Sequence, residues 1–305
     1  MRARLKKIKP LSTTVVGSFP AAPRKDLILG QYHTGQDPFL ESLKDSVDAQ
    51  VQAGIDIISD GQTRNDMIRL FATKLSGIRM KVKPVVIGDI VYKGQITVDD
   101  QKSAKKIAGN KYMLKGIITG PYTLASSCID EHYASKEKLA YGFAEALNCE
   151  ARALDKVVDI VQVDEPFFSV EFPEYAGRLL ENIFQGVKKP RCLHVCGDVG
   201  QIFSKLVEFD VDILDHEFAA HPELLDVIKD VDFDQMIGYG CVRSDQDVAE
   251  DVPTILERIK KGRHFIGDGR MILDPDCGLR HMSRDVAGQK LANMVKARKM
   301  MINES

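Results

Sequence analysis

The sequence contains no tryptophan, no long apolar run and no marked excess of charge of either sign. No apolar stretch approaches the roughly 20 residues that span a bilayer, so a membrane protein is not expected. The 305 residues carry a formal net charge of −2 without a sustained basic stripe, which predicts no nucleic-acid partner. The amino-terminal stretch MRARLKKIKPL is basic but lacks the apolar core of a signal peptide, so a cytoplasmic protein is expected.

The chain has six cysteines but no feature that would require disulfide bonds. A chain of this length can build a large core without covalent cross-links, and a cytoplasmic protein keeps its thiols reduced. Each cysteine is therefore expected to be either a small buried apolar residue or a chemically active group. Cys128, Cys149 and Cys192 are predicted to be ordinary core or surface residues, and Cys241 fits either role. The other two are candidates for chemistry.

Short β-branched, apolar runs alternate with segments of helical periodicity along the chain, which is typical of repeated βα units. No low-complexity linker or internal repeat indicates a second domain. The pattern predicts one (β/α)8 TIM barrel domain over residues 1–305, with a doubly wound open sheet as the alternative. The eight predicted strands are residues 13–16, 55–59, 113–118, 160–163, 192–195, 213–215, 236–239 and 271–273.

Residues 85–100, VVIGDIVYKGQITVDD, interrupt this alternation of strands and helices. Their apolar residues recur at the spacing of a half-buried strand on each side of Lys93 and Gly94. A glycine in a short polar step between two such runs is a common hairpin turn. The segment therefore predicts a β-hairpin insertion, turning at Lys93 and Gly94, that projects beside the barrel.

Histidine, cysteine and carboxylate side chains gather at the predicted strand ends in the second half of the chain. Catalytic groups of barrel enzymes lie at the carboxyl ends of the strands, so residues distant in sequence can meet there. His194, Cys196, Glu217 and Cys277 offer nitrogen, sulfur and oxygen ligands of the kind that select Zn²⁺. His194 and Cys196 are two residues apart, so both side chains point the same way from an extended segment. Simple packing of each residue is the alternative, and His216 could replace Glu217 as a ligand.

Two further stretches offer groups for a small polar ligand. In VQVDEP, Asp164 and Glu165 are adjacent and point to opposite sides of a strand, so one carboxylate is expected to face the barrel mouth. A carboxylate there suits a ligand ammonium group, although ordering of a neighbouring loop would explain it equally well. In TTVVGSFP, Gly17 allows a ligand to approach the backbone, and the Ser18 N–H could bind a carboxylate. A tight structural turn is the alternative.

With these residues identified, the chain resembles the catalytic half of the cobalamin-independent methionine synthase family, within the uroporphyrinogen-decarboxylase-like barrel superfamily. The stretches that carry the resemblance are TTVVGSFP, DGQTRNDMI, VQVDEP, HVC, and LDPDCGL followed by LANMV. The resemblance implies that His194, Cys196, Glu217 and Cys277 are zinc ligands. It also implies that residues 16–18 and Asp164 contact homocysteine.

The resemblance implies methyl transfer to the sulfur of homocysteine, which forms methionine. A thiol is a poor nucleophile until it is deprotonated, and coordination to Zn²⁺ ionises it. The homocysteine ammonium would then face Asp164, and its carboxylate would face the backbone of Gly17 and Ser18. No catalytic residue beyond the zinc site is implied.

The departures from the family pattern concern the methyl donor. A family glutamate near the homocysteine amine falls at Gln62, and the histidine that protonates the departing folate falls near Arg243. The tryptophan that stacks on the pterin is missing, and the second barrel of full-length members has no counterpart in these 305 residues. In these respects the chain resembles the short archaeal "core" enzymes. The differences predict methylcobalamin or a methyl-corrinoid protein as the methyl donor, because its leaving group, cobalt(I), departs without a proton.

Several other functions remain open at this stage. A related barrel enzyme could methylate another thiol such as coenzyme M, or methyltetrahydrofolate could be the donor after all. A decarboxylase of the uroporphyrinogen type shares the barrel but needs no metal. A non-catalytic zinc or corrinoid-binding protein is a further alternative.

Overall fold

The computed structural model describes residues 3–20 and 37–303, and its centre is a parallel β-sheet of seven strands. The strands in the described residues are β1 (Ile57–Ile58), β2 (Leu75–Arg79), β3 (Val85–Tyr92), β4 (Met113–Thr119), β5 (Ile129–Asp130), β6 (Ile160–Asp164), β7 (Arg191–Val195), β8 (Ile213–His216), β9 (Met236–Val242) and β10 (Met271–Pro275). The large sheet has the order β1-β4-β6-β7-β8-β9-β10, and all its neighbours are parallel.

Helices alternate with these strands and pack against the sheet, which confirms the predicted α/β class. The α-helices in the described residues are α1 (Leu40–Ala53), α2 (Met67–Ala72), α3 (Val98–Ala108), α4 (Pro121–Ser127), α5 (Lys136–Leu154), α6 (Ala176–Ile183), α7 (Phe203–Leu206), α8 (Leu224–Ile228), α9 (Val252–Ile266) and α10 (Arg284–Asn303). None of these helices is both long and apolar enough to cross a bilayer.

The sheet is curled, since one short segment is hydrogen-bonded to both of its edge strands. Thr14 N donates to Leu273 O at 2.8 Å on β10, and Ile57 N on β1 donates to Thr13 O at 3.0 Å. The predicted strand 13–16 therefore forms isolated parallel bridges to the two edges rather than a regular strand. The other seven predicted strands are confirmed.

Burial on both faces explains why the strands were readable from the sequence. Every residue of β6 and of β9 is buried, as the near-continuous apolar runs predicted.

Local signals also set the helix ends. Asp251 precedes α9, and its Oδ1 accepts from Thr254 N at 2.9 Å, which satisfies a free amide of the first turn. Gly54 ends α1 with a φ of 86°, a conformation that glycine adopts without strain.

A hairpin is present in this region, but it spans residues 75–92 instead of the predicted 85–100. β2 and β3 pair antiparallel, so the turn falls within residues 80–84 and residues 85–92 form only its second strand. β5 adds to β3 in parallel and completes a separate three-stranded sheet. The prediction of a turn at Lys93 and Gly94 is therefore wrong: these residues follow β3 and lead into α3.

The chain after Gly94 cannot form the return strand, because its amides are bound elsewhere. Glu150 on α5 is fully buried, and its carboxylate accepts from Ile96 N at 2.9 Å and from Thr97 N at 2.7 Å. The same carboxylate accepts from the Tyr92 hydroxyl at 2.7 Å and from the Thr97 hydroxyl at 2.9 Å. One buried carboxylate thus holds the end of β3 against α5.

Glu150→Gln should destabilise the protein by about 3 kcal/mol. The NH₂ group of glutamine would replace a buried carboxylate oxygen that accepts hydrogen bonds from N–H and O–H donors. Urea unfolding followed by circular dichroism would measure the change. Glu145→Gln, on the exposed side of the same helix, is the matched control and should change stability by less than about 0.5 kcal/mol. Equal stability of the two variants would contradict this role of Glu150.

Candidate metal centre and substrate cavity

Three of the four predicted metal ligands come together at the carboxyl edge of the parallel sheet. His194 lies near the end of β7, Cys196 directly follows that strand, and Cys277 follows β10. His194 Nε2 is 2.9 Å from Cys196 Sγ, and Cys196 Sγ is 2.8 Å from Cys277 Sγ. Within the described part of the chain, these residues form a group whose potential ligand atoms all lie within 4.8 Å of one another.

The two thiols of this group differ in acidity. The hydrogen bond from Cys196 lowers the pKa of Cys277 well below its usual value, and His194 adds to the effect. The same bond, together with burial, raises the pKa of Cys196. A lowered thiol pKa favours the thiolate, which is the ionisation state that binds a soft metal.

The fourth predicted ligand, Glu217, directly follows β8 but is not part of this close group. Its Oε2 lies 3.7 Å from His221 Nε2, while burial and the negative charge of Cys277 raise its pKa. His216, the alternative ligand, is fully buried and stacks edge-on against Phe203, with ring centroids 6.0 Å apart. Burial lowers the pKa of His216 to about 4, and its side chain belongs to the packing of the sheet.

The residues present fit a zinc ion. One imidazole nitrogen and two sulfurs form a soft donor set that favours Zn²⁺ over Mg²⁺ or Ca²⁺, and a carboxylate is available on the neighbouring strand end. The remaining cysteines of this region do not join the group. Cys192 packs in an apolar cluster with its Sγ 3.6 Å from Gln162 Oε1, and Cys241 is buried 3.5 Å from a backbone oxygen of β10.

The metal group opens onto a cavity of about 350 Å³. Its lining brings together the metal group and three of the four residues that were predicted to bind substrate. The lining residues are Val16, Ser18, Gln62, Asp66, Met67, Asp164, Pro166, His194, Cys196, Cys277, Gly278, Arg280 and His281. A pocket with several convergent polar groups beside a metal group is the usual form of an active site.

Asp164 and Glu165 point to opposite sides of their strand end, as predicted. Asp164 lines the cavity, where burial raises its pKa to about 7, and Gln162 Nε2 donates to its Oδ1 at 2.7 Å. Glu165 instead accepts from the backbone amides of Tyr122 and Thr123, at 2.9 and 2.8 Å, in the first turn of α4. Asp164 is therefore the carboxylate available to a ligand, and Glu165 anchors a helix.

Gly17 and Ser18 lie next to the loop that carries Cys277. A Cβ at Gly17 would be 2.8 Å from Ile117 Cδ1, so the glycine allows Ile117 to pack closely behind the cavity. The Ser18 carbonyl accepts from Leu279 N at 2.8 Å, which ties the two loops together. Ser18 lines the cavity, whereas Gly17 lies just behind it.

Gln62 has an unusual conformation at the cavity wall. Its φ of 46° is rare for a residue with a side chain, and such strain is typical of functional sites. The side-chain nitrogen of Gln62 is buried without a hydrogen-bond partner among the described residues. Its carbonyl accepts from the guanidinium of Arg280, which joins a third loop to the cavity. The Gln62 amide is therefore available to a ligand.

Six cavity residues were not assigned a role from the sequence: Asp66, Met67, Pro166, Gly278, Arg280 and His281. They lie in loops or first helical turns beyond the strand ends, where residue type alone does not indicate a role. Arg280 and His281 lie within four residues after Cys277. This closeness in sequence to a predicted ligand was the one available indication of their position at the cavity.

The group of soft ligands, the enclosed cavity and the parallel sheet together define an enzyme site at the carboxyl ends of the strands. Comparison with known proteins agrees. The sequence model of the family described as "Cobalamin-independent synthase, Catalytic domain" matches residues 11–300. The chain belongs to this cobalamin-independent methionine synthase family and is a methyltransferase.

Individual relatives match along nearly the whole chain. The methionine synthase of Methanocaldococcus jannaschii is 35% identical over 314 residues, covering 95% of this chain and 99% of the relative. The methionine synthase of Methanothermobacter marburgensis is 37% identical over 303 residues, covering 93% and 98%. The structure of a B12-independent methionine synthase from Shewanella sp. W3-18-1, in complex with selenomethionine, superposes with a TM-score of 0.84 at 26% identity, covering 97% and 99%.

Proposed function

We propose that this chain is a zinc-dependent methyltransferase that methylates the thiol of homocysteine and forms methionine. The observation that carries the proposal is the single cavity lined by His194, Cys196 and Cys277 together with Asp164 and Ser18. An amino-acid thiol needs a soft ligand group for its sulfur, a carboxylate for its ammonium and N–H donors for its carboxylate. The relatives named methionine synthase, and the neighbour in complex with selenomethionine, support this acceptor.

In this proposal His194, Cys196, Cys277 and Glu217 hold Zn²⁺. Glu217 follows β8, which pairs with the strand of His194, so its carboxylate is on the strand end next to the group. When bound, Zn²⁺ supplies a Lewis acid that ionises the acceptor thiol and keeps its sulfur nucleophilic.

The other cavity residues orient the acceptor. Asp164 accepts hydrogen bonds from the homocysteine ammonium, and the ammonium in turn stabilises the ionised form of this buried carboxyl. The Ser18 N–H binds the carboxylate, and the unpartnered Gln62 amide lines the same cavity. Holding both ends of the amino acid directs the thiol to the metal group and excludes water from it.

For the methyl donor we propose methylcobalamin or a methyl-corrinoid protein. The resemblance implies that the proton-donating histidine of the family falls near Arg243, whose Nε donates to Asp245 Oδ1 at 2.8 Å. A guanidinium does not give up its proton at physiological pH, so it cannot replace that histidine. A donor whose leaving group departs without a proton is consistent with this change.

Methyltetrahydrofolate is the second candidate donor, and two observations favour it. The matching family is described as cobalamin-independent. In addition, His281 lines the cavity and offers an imidazole that could protonate a departing folate. The corrinoid and folate proposals therefore differ in whether His281 is needed.

The test is a methyl-transfer assay that crosses two donors, methylcobalamin and methyltetrahydrofolate, with two acceptors, homocysteine and coenzyme M. We expect methionine from methylcobalamin and homocysteine, with an unchanged rate in His281→Asn. Methionine formed from methyltetrahydrofolate, and lost in His281→Asn, would replace the corrinoid by folate. Methylation of coenzyme M alone would reject the acceptor, and no transfer in any combination would reject the function.

We also propose that the fold is a closed barrel. The hydrogen bonds of Thr13 and Thr14 to both sheet edges support a closed eight-stranded barrel, in which residues 13–16 are the remaining strand. We further propose that residues 1–305 act as one catalytic domain and that the protein is cytoplasmic; both stay predictions.

A further inference from the structure

A layer of buried charged side chains lies directly beneath the metal group. Asp215 on β8 is the cross-strand partner of His194 on β7, and the two residues are each 1% exposed. Lys115 on β4, 2% exposed, belongs to the same layer. Charged groups buried this deeply are costly unless they are paired, so their partners indicate what they do.

The partner of Asp215 is the ring of His194. Asp215 Oδ1 lies 2.9 Å from His194 Nδ1. An ionised carboxylate can only accept a hydrogen bond, so the ring donates from Nδ1 and turns Nε2 towards the metal group. Nε2 is the atom that lies 2.9 Å from Cys196 Sγ in the metal group. The contact with Asp215 thus selects the atom that faces the metal.

Asp215 is itself held in place on two sides. Its Oδ2 is 3.8 Å from Lys115 Nζ, which leaves the other oxygen for the histidine. On the next strand, Gly238 lies opposite Asp215, and a Cβ at Gly238 would be only 2.7 Å from the Asp215 Cγ. The fold therefore keeps a space that the Asp215 side chain fills, and leaves it little room to rotate.

We propose that Asp215, held by Lys115 and accommodated by Gly238, is the positioning residue of the metal centre, because it fixes the tautomer and the orientation of His194. This inference rests on the proposed function in one respect, that His194 is a metal ligand. Residues that orient a metal-bound histidine raise metal affinity by about 10- to 100-fold, since the free site already has the bound geometry.

Two readouts test this role. In the metal-free protein, ¹⁵N NMR of the histidine rings should show a proton on His194 Nδ1 that is hydrogen-bonded to Asp215, and the loss of this hydrogen bond in Asp215→Ala. In the same variant, competition with a zinc-binding dye should show a zinc affinity lowered by about 10- to 100-fold. Asp215→Asn keeps an acceptor oxygen but loses the charge, and should fall between the wild type and Asp215→Ala. Lys115→Met should also lower zinc affinity.

The matched control is Asp212→Asn, a fully buried carboxylate just before the other end of β8. Asp212 pairs with Arg4 Nε at 2.7 Å and accepts from Arg191 N at 2.9 Å, far from the metal group. It should lower the melting temperature without changing zinc affinity or the His194 tautomer. This separates loss of a buried charge from loss of positioning.

Unchanged zinc affinity and an unchanged His194 tautomer in folded Asp215→Ala would overturn the inference. If Asp215→Ala does not fold, the comparison of Asp215→Asn and Lys115→Met with Asp212→Asn decides in the same way. A wild-type protein that binds no zinc would instead reject the proposed function, and the NMR measurement would still show whether Asp215 sets the tautomer.

Discussion

Cys277→Ser is expected to lose stoichiometric zinc and at least about 1,000-fold in the rate of methyl transfer, which corresponds to roughly 4 kcal/mol of transition-state stabilisation. The Cys277 sulfur lies 2.8 Å from that of Cys196, and its neighbours Cys196 and His194 lower the pKa of its thiol. A serine hydroxyl stays protonated at neutral pH and is a much poorer ligand for zinc than a thiolate.

Metal analysis of the purified variant and a methionine-forming assay would measure both effects. Cys149→Ser is the matched control, because Cys149 is exposed on α5 and is not part of the metal group. Its zinc content and rate should equal those of the wild type, and circular dichroism should show that both variants are folded. Full zinc content and normal activity in Cys277→Ser would disprove the proposed metal centre.

Asp164→Asn is expected to lower kcat/KM for homocysteine by about 10- to 100-fold, the usual cost of removing a charged hydrogen-bond partner. Asparagine has the same shape as aspartate, so the cavity should keep its form. In the wild type, Gln162 Nε2 donates to Asp164 Oδ1 at 2.7 Å, and the asparagine oxygen can accept the same hydrogen bond. What it loses is the negative charge that faces the ammonium of the acceptor.

The control for Asp164 is an acceptor without an amine. 4-Mercaptobutanoate has the carboxylate and the thiol of homocysteine but no ammonium, so its slower methylation should be unaffected by Asp164→Asn. Asp198 is an exposed carboxylate in the loop after Cys196, and Asp198→Asn should leave the methylation rates of both acceptors unchanged. An equal loss with both acceptors would mean that Asp164 supports the cavity instead of recognising the amine.

The strands and helices were predictable because each carries its signal locally. Runs such as IVQVD are apolar on both faces because both faces are covered, and the helices between them show apolar residues on one side. The hairpin was misplaced for a non-local reason. Glu150, which is more than fifty residues from Ile96 in the sequence, accepts from the amides that a return strand after Gly94 would need.

The candidate site was predictable in part. His194, Cys196 and Cys277 are chemically distinctive residues at strand ends, and a parallel sheet brings such ends to one edge. Asp215 and Arg280 carry no such mark, since a strand aspartate and a loop arginine occur in most proteins. Their roles depend on which strand lies next to β7 and which loop lies over Gln62.

The sequence by itself determined the class of fold, the family and the residues able to bind a soft metal, because periodicity and residue chemistry are written locally along the chain. The tertiary structure alone decided which of these groups meet. It placed Asp164 in the cavity and Glu165 against the first turn of α4, and it set Asp215 on β8 beside His194 on β7. Distances between side chains depend on the register and curl of the whole sheet, and no short segment contains that information.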